Sequence, residues 1–156
     1  MDKNQVMIAF LQNCQTISDN PLFFNFGNIE DNANQAITAS DDVALQKPYV
    51  DGSVLKRFTF HIDSFKTIAY NPVIQGHNDN NLEGFKEVQA LIDWINTQGD
   101  NNIFPDFGTD CIIETMQTTT NKPELISVES GMSPPVAIYR VSIRIEYVDF
   151  SKCLWK

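Results

Sequence analysis

The sequence has few of the residues from which metal sites and disulfide frameworks are built. It contains two histidines and three cysteines in 156 residues, and Cys14, Cys111 and Cys153 lie far apart in the chain. Zinc sites usually take several Cys or His ligands at short spacings, and disulfide-bonded secreted domains carry an even set of cysteines. We therefore expect free thiols, a reducing compartment, and no metal or other cofactor.

Basic residues are also scarce. The chain has 11 Lys and Arg against 20 Asp and Glu, which gives a formal net charge of -9. A field of this sign repels phosphate and anionic lipid, so sequence-specific binding of nucleic acid is not expected. Apolar runs are short as well, and none approaches the ~18 residues that a membrane span needs. We expect neither nucleic acid nor a membrane as a partner.

Motifs for nucleotide binding and for nucleophilic catalysis are missing. The seven glycines are dispersed and form no phosphate-binding loop, and no Gly-x-Ser-x-Gly elbow is present. His61 and Asp63 lie two residues apart on a predicted strand, so they face the same way and resemble a base with its orienting carboxylate. A solvated strand face carries polar residues in any protein. We therefore expect that this protein is not an enzyme. The alternative is a small enzyme that uses His61 and Asp63.

Apolar residues at helical spacing predict two helices. The second is the longer one and runs from about Leu82 to Gln98. Asn80 and Glu83 have capping-box spacing at its start, and Gly99 suits the left-handed position after its last turn. The first helix covers the first dozen or so residues, and its apolar stripe consists of Met7, Phe10, Leu11 and Cys14.

Alternation of apolar and polar residues predicts the strands. It is clearest between Ala137 and Tyr147 and between Val54 and Ile68. Further strands are predicted at Phe24 and Phe26, Gln35 to Thr38, Cys111 to Thr118 and Leu125 to Glu129. Such alternation favours an antiparallel sheet with one covered face. We predict one α+β domain over residues 1–156, in which a mainly antiparallel sheet packs against one long and one N-terminal helix.

Several segments carry a family resemblance. They are the turn Pro48-Tyr49-Val50-Asp51-Gly52-Ser53 with the strand after it, the helix carrying Trp94 before Ile103-Phe104-Pro105, and the closing Tyr139-Arg140-Val141 strand. They resemble a family of small minor capsid or tail-terminator-like proteins from phages and prophages of Gram-positive bacteria. Phe10-Leu11 and Cys14 also resemble the start of that family, so the similarity spans nearly the whole chain.

The resemblance implies a structural protein with no active site. It implies an oligomer, in the form of a hexameric ring, that caps the tail tube, contacts the major tail protein and offers a docking surface to a head-completion protein. A head-completion or connector subunit is the alternative role. The expected location is the cytoplasm of the bacterial host during assembly, and then the virion.

Five residues are candidates for the subunit interface. A planar guanidinium pairs with a carboxylate through two hydrogen bonds, which suits an interface, although an ion pair within one subunit is an equal alternative. Arginine is scarce in this chain, which draws attention to the final strand. The candidates are Tyr49, Asp51, Arg57, Arg140 and Arg144.

Overall fold

Helices and strands alternate in blocks along the computed structural model, which describes residues 3–18, 22–24, 35–67, 80–129 and 136–153. The helices are α1 (Lys3–Leu11), α2 (Gln15–Ser18) and α3 (Asn80–Asp100). The strands are β1 (Leu22–Phe24), β2 (Gln35–Pro48), β3 (Val54–Thr67), β4 (Cys111–Thr118), β5 (Glu124–Glu129) and β6 (Val136–Asp149). None of the helices in the described ranges is long and apolar enough to cross a membrane.

The strands form one sheet in the order β1-β2-β3-β6-β4, and β5 also pairs with β6. β3 and β6 pair antiparallel from Val54 opposite Asp149 to Thr67 opposite Val136, without a register shift. β4 and β5 lie end to end along the other side of β6. The predicted α+β fold with a mainly antiparallel sheet is thus confirmed, and the exception is β1, which pairs parallel with β2.

One face of the sheet is covered by the helices. The apolar residues of β3 and β6 that share a parity face the helices, because side chains alternate along a strand. Met7, Phe10 and Leu11 of the predicted α1 stripe and the predicted face of α3 are buried against them, as expected from their spacing. Cys14, the fourth residue of that stripe, is also buried but lies beyond the end of α1. This core includes Phe58, Phe60, Ile62, Val141, Ile143, Ile145 and Tyr147 of the sheet, and Met7, Phe10, Leu11, Cys14, Val88, Leu91, Ile92 and Ile95 of the helical layer.

The end of α3 differs from the prediction. Gly99 lies inside the helix, which continues to Asp100, and the residue with positive φ is Asn102, at 57°. A Cβ on Gly99 would overlap the backbone carbonyl oxygen of Met116. Glycine at this position therefore serves close packing of α3 on β4, and not the end of the helix.

The second strand is longer than predicted. β2 covers Gln35–Pro48 instead of Gln35 to Thr38, and its pairing with β3 shifts register between Ala39 and Asp42 and again between Ala44 and Lys47. Each irregularity resets the alternation, so no single period is visible in the sequence. The predictions at Phe26 and Ile68 lie outside the described residues, as do the side-chain contacts of the Asn80 and Glu83 capping pair.

Gly99→Ala is expected to destabilise the protein by about 1–3 kcal/mol, because the added methyl group forces α3 away from the backbone of β4. Urea unfolding followed by circular dichroism measures the change. The matched control is Thr97→Ala on the exposed side of the same helix, for which we expect a change within about 0.5 kcal/mol. Equal stability of both variants would show that α3 does not depend on this contact.

Candidate functional site

The sheet face opposite the helices carries four consecutive cross-strand pairs, which we call the polar ladder. They are Arg57–Glu146, Thr59–Arg144, His61–Ser142 and Asp63–Arg140. They arise because the odd positions of β3 and the even positions of β6 are polar in this stretch while the other parity is apolar. The three arginines of the chain therefore lie on one face, within about 20 Å along β3.

Asp63 and Arg140 form a bidentate ion pair. Arg140 Nε donates to Asp63 Oδ1 at 2.8 Å, and Arg140 Nη2 donates to Asp63 Oδ2 at 3.2 Å. The side chains are 34% and 15% exposed. Hydrogen bonding to Asp63 raises the pKa of Arg140 above its ordinary value. Arg140 is thus engaged within its own chain, which is the alternative that the sequence left open.

His61 contacts Ser142 and not Asp63. The distance from His61 Nδ1 to Ser142 Oγ is 2.7 Å. Burial lowers the pKa of His61, and the positive charge of Arg140 lowers it further, so the neutral imidazole is favoured. The base–orienter pair of the alternative interpretation is not formed, because both carboxylate oxygens of Asp63 accept from Arg140.

The two remaining arginines differ from each other. Arg57 Nη2 donates to Glu146 Oε1 at 3.3 Å. Arg144 lies in register between Thr59 of β3 and Gln117 of β4. It forms no ion pair with any side chain in the described ranges. Arg144 is therefore the arginine of the polar ladder that has no ion-pair partner among the described residues.

Tyr49 and Asp51 lie in the turn between β2 and β3, beyond the Arg57 end of the polar ladder. The Asp51 carboxylate accepts hydrogen bonds from the Ser53 hydroxyl at 2.6 Å and from the Ser53 backbone N–H at 2.9 Å. These hydrogen bonds lower the pKa of Asp51. Gly52 has a φ of 91° and lies against the backbone of Lys152. Asp51 thus fixes the turn, and Tyr49 is exposed with Val50 at its tip.

The exposure of β5 was not predicted from the sequence. Leu125, Ile126 and Val128 of this short strand are 53%, 41% and 39% exposed. A signal was present in the sequence, because the segment Glu124-Leu125-Ile126-Ser127-Val128-Glu129 places consecutive apolar residues between two carboxylates. Its position at the border of the sheet, however, follows only from the pairing with β6.

Potential metal ligands do not gather on this face. Within the part of the chain that the structure describes, no group of three or more His, Cys, Asp or Glu side chains is placed to hold a metal ion. The side chains of the polar ladder form ion pairs and hydrogen bonds with each other.

Comparison with known proteins assigns no family. The sequence matches no protein-family model, and no curated protein matches it significantly.

The stability of the protein is expected to fall on acidification from about pH 7.5 to pH 5.5. The pKa of His61 is below 6.5 in the folded state, so the unfolded state takes up its proton first as the pH falls, and unfolding is favoured. Carboxylates, whose ordinary pKa values are near 4, titrate below this pH range. His61→Gln should reduce the loss, as measured by urea unfolding at several pH values. His77→Gln is the control, and an equal reduction by both variants would contradict the assignment to His61.

Arg140→Glu and Arg144→Glu are expected to differ in stability although they change charge equally. Arg140→Glu places a carboxylate opposite the largely buried Asp63 and should cost about 1–3 kcal/mol. Arg144→Glu breaks no described ion pair and should cost under about 1 kcal/mol. Thermal and urea unfolding of both variants test this. Equal stability of the two would show that the Asp63–Arg140 pair contributes nothing to the fold.

Proposed function

We propose that this chain is a structural subunit of a tailed phage that caps the tail tube and joins the tail to the head as a ring of identical copies. Its partners are then the major tail protein and a head-completion protein, in the host cytoplasm during assembly and afterwards in the virion. The head-completion or connector position is the alternative role. The resemblance supports the proposal, since it rests on the Pro48–Ser53 turn with its strand, the Trp94 helix and the closing strand.

The observation that carries the proposal is the state of Arg144. A ring of six copies would carry six times -9, or -54 formal charges, so neighbouring subunits repel each other at long range. Ring closure needs local attraction at each interface to offset this repulsion. Arg144 supplies a guanidinium that no described carboxylate neutralises, and each copy has 20 acidic residues.

The surroundings of Arg144 favour a protein contact over a catalytic role. The neighbouring positions Thr59 and Gln117 carry uncharged polar side chains, and the ladder lies on the face that the helices leave uncovered. The ion pairs Arg57–Glu146 and Asp63–Arg140 lie on either side of Arg144 along the polar ladder. A neighbour's carboxylate would therefore meet a surface whose other charges are already ordered, which lowers the entropic cost of the contact.

Arg144→Glu should prevent ring formation and the joining of tails while leaving the subunit folded. The measurements are light scattering after size exclusion, negative-stain microscopy, and complementation of extracts that contain tails lacking the terminator. Lys86→Glu on the exposed side of α3 is the matched control, because each change takes the formal charge from -9 to -11. Arg144→Lys tests whether a point charge replaces the planar guanidinium.

Normal assembly by the folded Arg144→Glu variant would remove Arg144 from the interface. If Lys86→Glu fails as severely as Arg144→Glu, the effect lies in net charge and not at this position. Failure of the unchanged protein to join tails in any extract would contradict the role at the head–tail junction.

A further inference from the structure

Within the described residues, the outer border of the sheet along β4 and β5 is protected at β4 and not at β5. At β4, the Asn96 side chain donates to Thr118 Oγ1 at 2.9 Å and accepts the Thr118 backbone N–H at 3.0 Å. Gly99 brings the end of α3 against the carbonyl of Met116 in the same half. The Asn96 side chain thus satisfies the backbone N–H of Thr118, and the end of α3 lies over the carbonyl of Met116, so this half of the edge is shielded from other chains.

The direction of α3 explains why β5 has no such cover. Near its start, Gly84 packs on the buried stem of Lys66 in β3, and Phe85 contacts Tyr139 of β6. Near its end, the helix lies against β4. The helix thus crosses the sheet diagonally and reaches the border only beside β4, apart from a hydrogen bond from Gln89 to the carbonyl of Asn121. In the described ranges β5 pairs with β6 alone.

The exposed side chains of β5 are apolar and its ends are acidic. Leu125, Ile126 and Val128 lie between Glu124 and Glu129, and both glutamates are exposed. An open strand edge with apolar side chains is the feature that binds extended peptides by strand addition, with affinity from main-chain hydrogen bonds. The acidic ends favour a strand that carries positive charge at the matching positions.

A second copy of this chain fits the edge poorly. Antiparallel pairing of β5 with itself would place Glu124 near Glu129 at both ends, and like charges directly opposite each other are destabilising. The register shift at Ile126 adds a bulge, which further disfavours pairing with a copy that has the same bulge. Charge and local geometry both favour a different occupant.

We propose that β5 accepts by strand addition an extended segment of another protein, apolar at alternate residues and carrying Lys or Arg at its ends. This site is separate from the ring contact proposed above, because it uses the border of the sheet and not Arg144. Its failure and the failure of the ring are therefore distinguishable.

The test is binding of fluorescently tagged peptides to the full chain, followed by anisotropy. The probe is Lys-Val-Thr-Val-Thr-Val-Lys, and Glu-Val-Thr-Val-Thr-Val-Glu should bind about tenfold more weakly. Lys-Val-Pro-Val-Pro-Val-Lys keeps the charges but lacks the N–H donors at its proline positions, so its binding should be lost. Equal binding of the basic and acidic peptides, binding of the proline peptide as tight as the probe, or no binding of the probe would overturn the proposal.

Protein variants locate the site. The double change Leu125→Lys with Val128→Lys should abolish binding, whereas Val50→Lys with Ile103→Lys adds the same charge at exposed positions outside β5 and should retain most of it. Glu129→Lys should weaken binding of the basic peptide and strengthen binding of the acidic peptide. This variant keeps the test valid if the double β5 variant fails to fold. Unchanged binding by Glu129→Lys, or a dimer of the unmodified chain that Leu125→Lys dissociates, would reject this occupant.

Discussion

The unbroken antiparallel register between β3 and β6 is the constraint on which the other features of this protein depend. Each residue of one strand is fixed opposite one residue of the other from Val54 and Asp149 to Thr67 and Val136. Phe60 and Ile143 therefore meet in the core, while His61 and Ser142 meet on the opposite face. A slip of one residue would place buried phenylalanines on the polar side and arginines beneath the helices, so burial of the core also fixes the polar ladder.

The helical layer then decides which parts of the sheet stay available to other molecules. α1 and α3 cover the apolar face, and the diagonal course of α3 protects the border at β4 through Asn96 and Gly99. The polar ladder and β5 are left uncovered by these helices. They have different chemistry, since the ladder offers ordered charges and β5 offers apolar side chains between two glutamates. A protein that assembles with two kinds of neighbour would use two such surfaces.

Much of the fold follows from local periodicity. The α1 stripe, the face of α3 and most of β3 and β6 were predictable because their apolar residues follow one period. β4 was predicted although its pairing with β6 shifts register between Ile113 and Thr115. Prediction failed where a second element intervened. β2 appeared short because its two register shifts break the alternation. Gly99 was interpreted as a helix-ending residue, whereas its conformation is helical and the approach of β4 requires the absence of a side chain.

The sequence alone determined that Arg57, His61 and Asp63 lie on one side of their strand and that Arg140 and Arg144 lie on one side of theirs, because a strand has period two. It also determined the acidic charge against which any assembly must work. Only the tertiary structure decided which partner each group takes. Arg140 binds Asp63, His61 binds Ser142, and Arg144 is left without a described carboxylate, since strand register is set by pairing between residues about 80 positions apart. Likewise, β5 pairs with β6 alone among the described strands, because α3 reaches the border of the sheet at β4.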